Sequence, residues 1–146
     1  MGRRIVSLAV ESGRFDIVGS VDRPGHPDIG KDSGLMAGSG QIGIMLADTY
    51  PAAAAQVAID FSQPEAMDAT IDYCLEKNVA LVSGTTGLSE KQRERLKSAA
   101  RKIPILYATN MSVWMNVLFG LAGKVAEMLG PEYDVEIVEQ HHRFKK

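Results

Sequence analysis

The chain has 146 residues, enough for one ordinary domain with a buried core. Hydrophobic residues at 45% and charged residues at 23% describe a globular protein, and a formal charge of −2 gives no electrostatic case for nucleic acid. The single cysteine, Cys74, excludes an internal disulfide framework and suits a cytoplasmic setting, and no stretch reaches membrane-spanning length.

The amino terminus imitates targeting signals without completing one. Met1-Gly2 begins like a myristoylation site, but Val6 stands where Ser or Thr is required. Arg3-Arg4 precede an apolar run over residues 5–10 that is too short for an export signal. Ile5, Leu8 and Ala9 instead form a helical stripe, closed by Ser12-Gly13. A strand is expected over residues 15–21, ending at Asp22. Residues 23–40, rich in Gly, Pro, Asp and Ser, read as a long loop. A short strand over 42–45 follows, and the alanines of 50–56 suggest a turn or two of helix.

Further along, periods of two and of 3.6 alternate. Residues 57–61 form a compact buried strand, and Pro64 sits at a favourable first helical position for a helix to Lys77. Residues 80–83 form the next strand and run into Gly84-Thr85-Thr86-Gly87. Ser89 with Gln92 makes a capping box for a helix to about Arg101. A strand over 103–108, a turn at 110–112 and an apolar helix over 113–129 follow, stopped by Gly130-Pro131. A last strand is expected over 133–140.

Strands separated by helices imply right-handed crossovers and a Rossmann-like, doubly wound parallel sheet in an α/β fold. Ligands in such sheets lie beyond the carboxyl ends of the strands. Asp22 has the placement of an acidic residue that accepts from adenosine ribose hydroxyls; the competing role is to start the turn at Arg23-Pro24-Gly25. Arg23 suits stacking on adenine or meeting a 2′-phosphate. Gly84-Thr85-Thr86 lets backbone approach a ligand with hydroxyls and amides facing it, though glycines also simply make turns. Asn110 can bond a carboxamide or hold its own loop. At the other end, His141 and Lys145 share a face in either a helix or a strand, so an imidazole and an ammonium stand together for proton transfer to an anion. The competing reading is a solvated basic tail. Adjacent His141 and His142 point to opposite faces of a strand and chelate poorly, so no metal site is expected.

Val21-Asp22-Arg23-Pro24-Gly25, Gly30-Lys31-Asp32-Ser33-Gly34, Ile59-Asp60-Phe61-Ser62-Gln63-Pro64, Gly84-Thr85-Thr86-Gly87, Asn110-Met111-Ser112-Val113 and Glu139-Gln140-His141-His142-Arg143-Phe144-Lys145, with Met1-Gly2-Arg3-Arg4 before them, resemble the dihydrodipicolinate reductase family along essentially the whole chain. The resemblance implies NADH- or NADPH-dependent reduction of a small dicarboxylate in lysine and diaminopimelate synthesis, by a cytoplasmic homotetramer. It implies that Asp22 and Arg23 hold the adenosine end, with Phe61, Gly84, Thr85, Thr86, Ala108, Thr109, Asn110 and Met111 along the rest of the cofactor. His141 and Lys145 would be catalytic and His142 a substrate contact. Residues 1–112 would form the dinucleotide-binding domain and 113–146 the start of an α+β substrate and tetramerisation domain.

By the same resemblance the chain lacks the family's first strand with its Gly-rich turn, and an Asp-Ala-Pro-Ser-Gly-Thr segment beyond Lys146. Weak or no NADH binding and negligible activity are therefore expected of it alone. Thr109, Trp114 and Phe144 depart from the family pattern, the last removing a possible donor. The rival readings are another two-domain NAD(P)-dependent dehydrogenase and a non-catalytic oligomerisation or regulatory module.

Overall fold

The computed structural model describes residues 1–140 and divides into two compact units, Met1–Tyr107 and Ala108–Lys146. In the first unit, helix α1 (Gly2–Ser12) ends at Gly13, whose positive φ of 60° suits the one residue without a Cβ penalty. Strand β1 (Ser20–Val21) pairs in parallel with β2 (Leu46–Ala47), Ser20 opposite Leu46 and Val21 opposite Ala47. The connection between them holds a short helix, α2 (Ser33–Ala37).

The larger sheet is β3 (Val57–Asp60), β4 (Ala80–Ser83) and β5 (Ile105–Tyr107), in that order and all parallel. A 3-10 turn at Pro64–Ala66 leads into α3 (Met67–Lys77), which connects β3 to β4, and α4 (Glu90–Ala99) connects β4 to β5. Parallel neighbours cannot be joined by a tight hairpin, so each needs such a crossover. The α4 capping box forms as read, with Ser89 and Gln92 satisfying each other's backbone N–H groups.

The core lies between this sheet and its two helices. Met67, Ile71, Cys74, Val79 and Leu81 are fully buried, with Leu88, Leu96, Ala99 and Ile103 around them. Burial pushes the Cys74 thiol up to about 11, so it acts as a small apolar group and not as a nucleophile. Tyr50 stacks on Tyr73 with ring centroids 4.5 Å apart, and its hydroxyl bonds that of Thr70.

Six expectations need correction. The strand over 57–61, expected to be buried, spans Val57–Asp60 with Val57 and Ile59 exposed. The strand over 15–21 pairs only at Ser20–Val21, because its partner contributes only Leu46–Ala47. The short strand expected over 42–45 lies later, at β2, with Met45 in a single antiparallel bridge to Asp32. The loop over 23–40 contains α2, which Asp32 caps. No helix forms over 50–56: a nucleus is costly in so few residues, and Tyr50 is already fixed against Tyr73. Residues 133–140 are not a strand; Val135, Ile137 and Val138 are exposed, and alternation alone supplies no hydrogen-bonded neighbour.

In the second unit, α5 (Val113–Leu129) has the bounds expected of it. Ser112 caps it by accepting from Met115 N–H, and Gly130 follows its last turn.

Candidate functional site

In a parallel sheet the residues after each strand share one edge, and in the first unit a group of polar residues follows the strand ends of each of the two sheets. The first surrounds a cleft of about 290 Å³ bordered by Met1, Gly2 and Arg3 at the start of α1, Asp22 after β1, His26, and Ser33 of α2. Asp22 is half exposed; its Oδ1 accepts Arg23 N–H at 2.8 Å, and its Oδ2 lies 4.0 Å from His26 Nε2. The turn-starting role of Asp22 is thus seen directly, and the residue also borders the cleft.

A polar network meets the cleft at Arg3. Asp28 accepts from Arg3 at 2.8 Å and from Lys31 at 2.6 Å, and the bond from Lys31 is the main reason its carboxyl is held below the ordinary range. Beneath it, Asp32 accepts backbone N–H groups from Gly34, Leu35, Ile42 and Gly43, at distances of 2.7 to 3.3 Å. The Leu35 N–H leads the causes that lower its carboxyl, against the opposing effect of burial. Gly34 is obligatory there, since a Cβ would stand 2.4 Å from Gly40 O. Sequence reading assigned no role to His26, Asp28 or Asp32. The available signal was an aspartate followed by Ser-Gly-Leu-Met-Ala, an N-cap pattern hidden in loop-like composition.

The second group follows β3 and β4. The register sets Asp60 opposite Ser83 and Ser83 opposite Tyr107 in one row at the strand ends. The Asp60 carboxylate accepts from Thr85 Oγ1 at 2.8 Å, Ser62 N–H at 3.0 Å and Ser83 Oγ at 3.4 Å. Tyr107 OH donates to Thr85 O at 3.2 Å. Thr85 is only 1% exposed and its hydroxyl is taken up by Asp60, so of the two threonines only Thr86 presents a side chain to solvent. Phe61 lies against Gly84, where a Cβ would come within 2.2 Å of the ring. The glycine is therefore a close-packing requirement.

The residues bordering the cleft include Asp22 but not Phe61, Gly84, Thr85 or Thr86. Ala108, Thr109, Asn110 and Met111 belong to the second unit. There Asn110 Oδ1 accepts Ser112 N–H at 2.9 Å, the local turn bond, while Asn116 Nδ2 donates to the Asn110 and Ser112 carbonyls. His141, His142 and Lys145 lie outside the described residues.

A family model described as dihydrodipicolinate reductase, N-terminus, matches residues 1–111. Similar curated proteins include 4-hydroxy-tetrahydrodipicolinate reductases from three bacteria. That of Citrifermentans bemidjiense is 41% identical over 148 residues, covering 100% of this chain and 55% of that protein. That of Rubrobacter xylanophilus is 42% identical over 146 residues, covering 100% and 54%. That of Trichlorobacter lovleyi is 43% identical over 148 residues, covering 100% and 55%. The chain spans about half the length of the curated relatives it matches.

Proposed function

Because the chain belongs to the dihydrodipicolinate reductase family, we propose that its first unit holds the adenosine end of NADH or NADPH. We propose that the whole protein reduces 4-hydroxy-tetrahydrodipicolinate to tetrahydrodipicolinate in lysine and diaminopimelate synthesis. The observation that carries the reading is Asp22, at the end of β1, bordering a cleft that opens on the first turn of α1. Amides at a helix start favour a phosphate, and an acidic residue after the strand favours ribose hydroxyls. A cleft of about 290 Å³ suits a single nucleoside better than a complete dinucleotide. The chain alone is accordingly expected to bind NADH weakly.

The nicotinamide supplies hydride when the cofactor is bound. Arg23 stacks on adenine or meets a 2′-phosphate. Along the rest of the cofactor, Phe61 and Gly84 give a close-packed wall, Thr86 its hydroxyl, and Thr85 its backbone, since Asp60 holds its hydroxyl. Ala108, Thr109, Asn110 and Met111 are proposed as cofactor contacts in the whole protein. His141 and Lys145 protonate and stabilise the anion that forms on the substrate, and His142 contacts a substrate carboxylate. The working assembly is a cytoplasmic homotetramer built from the whole protein.

The test is a reductase assay of the whole protein that carries this sequence, with NADH consumption followed by absorbance. His141→Gln is expected to lower kcat by about a hundredfold or more, as loss of a positioned proton donor does, with the KM for NADH within about twofold of the parent. Equal losses in both constants, or an unchanged kcat, contradict the role given to His141. No nicotinamide-dependent absorbance change in the parent contradicts the reductase itself.

A further inference from the structure

The cleft beside Asp22 contains a donor and an acceptor held just too far apart to satisfy each other. His26 Nδ1 accepts Asp28 N–H at 3.2 Å, which leaves the ring proton on Nε2. That Nε2 stands 4.0 Å from Asp22 Oδ2, beyond hydrogen-bond range. Each group is tethered on its own side of the gap: Asp22 Oδ1 accepts Arg23 N–H, and the His26 ring accepts Asp28 N–H. An oxygen placed about 2.8 Å from both would be in normal range of each. It would have to accept from one side and donate to the other. A hydroxyl does both; a phosphate oxygen only accepts.

We propose that His26 and Asp22 together form a clamp for the ribose 2′-hydroxyl, making His26 a specificity-determining residue that favours NADH over NADPH. The proposal rests on the reading of this cleft as the adenosine site. A 2′-phosphate in the same place brings its charge against the Asp22 carboxylate. Two of the three cations nearby, Arg3 and Lys31, are already engaged by Asp28. Arg23 is exposed and takes no ion pair among the described residues, so the preference for NADH requires that it stack on adenine and not meet a 2′-phosphate.

The experiment titrates the isotopically labelled chain with adenosine 5′-monophosphate, its 2′-deoxy analogue and adenosine 2′,5′-bisphosphate, following the amides of residues 22–28. The monophosphate is expected to bind about fivefold more tightly than the deoxy analogue, the gain of one net hydrogen bond at a partly exposed site. The bisphosphate is expected to bind no more tightly than the monophosphate. In His26→Asn, the shorter side chain still accepts Asp28 N–H in an Asx turn but does not reach Asp22, and the deoxy ratio falls to about one. A native deoxy ratio near one, an unchanged ratio in the variant, or a bisphosphate about tenfold tighter than the monophosphate overturns the clamp. Each of those results leaves nucleotide binding at Asp22 intact. If no nucleotide shifts these amides, the adenosine reading fails and the clamp fails with it. The native ratio decides the matter even if the variant does not fold.

Discussion

The two halves of the Met1–Tyr107 unit are held together by different chemistry. From Val57 onward, three paired strands and two helices close over Met67, Ile71, Val79 and Leu81, an apolar core with essentially no exposure. Before it, the strands are two residues long, and the buried positions are Ser7, Asp32, Ser33, Gly34 and Leu46. That half is organised by carboxylates accepting backbone N–H groups and neighbouring cations. Apolar packing is additive and forgiving of detail, whereas a carboxylate at the centre of four amides organises a loop through one residue. The half with the weaker core also holds the cleft, as expected if ligand-binding loops come from the less stable end of a structure.

The largest effect should come from cutting into the apolar half. Leu81→Ala removes a fully buried side chain at the centre of the larger sheet and should cost about 2–5 kcal/mol in denaturant unfolding. A loss under about 1 kcal/mol would show that the sheet does not carry the stability assigned to it. Asp60→Ala leaves the buried Thr85 hydroxyl and the Ser62 N–H without their acceptor, and should cost about 1–3 kcal/mol. Amides of the segment after β4 should move with it.

The polar half should fail locally. Asp32→Ala should abolish hydrogen-exchange protection at Gly34, Leu35, Ile42 and Gly43 while leaving β4 protected. Loss of protection in both places would make the two halves one cooperative unit. Acid offers the same test without mutation. Because the folded-state carboxyl of Asp32 is lowered, its contribution is present above the unfolded value, near pH 4, and is lost as pH falls through the folded one. Protection around Asp32 should therefore fall below about pH 4 before that of β4. The smallest effect is expected at Arg95, which bridges from α4 to Asp68 and Asp72 on α3. Arg95→Ala should cost less than about 1 kcal/mol and less still in high salt, as exposed pairs do.

The same contrast explains what could be read from the chain. Where burial fixes structure, the periodicity is visible: β4 has the expected bounds, and Pro64 and Ser89 mark the starts expected of them. The helix α5 also has its expected bounds, yet it buries no residue; Ser112 and Gly130 mark its ends. Where a polar side chain fixes structure, composition misleads. The Gly- and Ser-rich stretch around Asp32 hides α2, because capping depends on one oxygen and not on a period. The alternation of Val135, Ile137 and Val138 promises a strand, but a strand is a relation between two segments and only one is visible in a pattern.

The candidate site divides in the same way. Asp22 is expected at a strand end by a rule of the fold, and it borders the cleft there. His26 was not legible, since its significance lies in a 4.0 Å gap across a turn. Thr85 was legible as part of a Gly-Thr-Thr-Gly turn, but its hydroxyl serves Asp60, a partner 25 residues away. No local pattern announces such a bond.

The most direct test of the account is an NADH titration of the labelled chain beside Asp22→Ala. In the native chain, shifts are expected to cluster at Gly2, Arg3 and residues 22–26, with weak affinity. In the variant, affinity should fall about fivefold or more. Shifts confined to other surfaces, or equal affinity with Asp22 removed, would contradict the assignment of this cleft to the nucleotide.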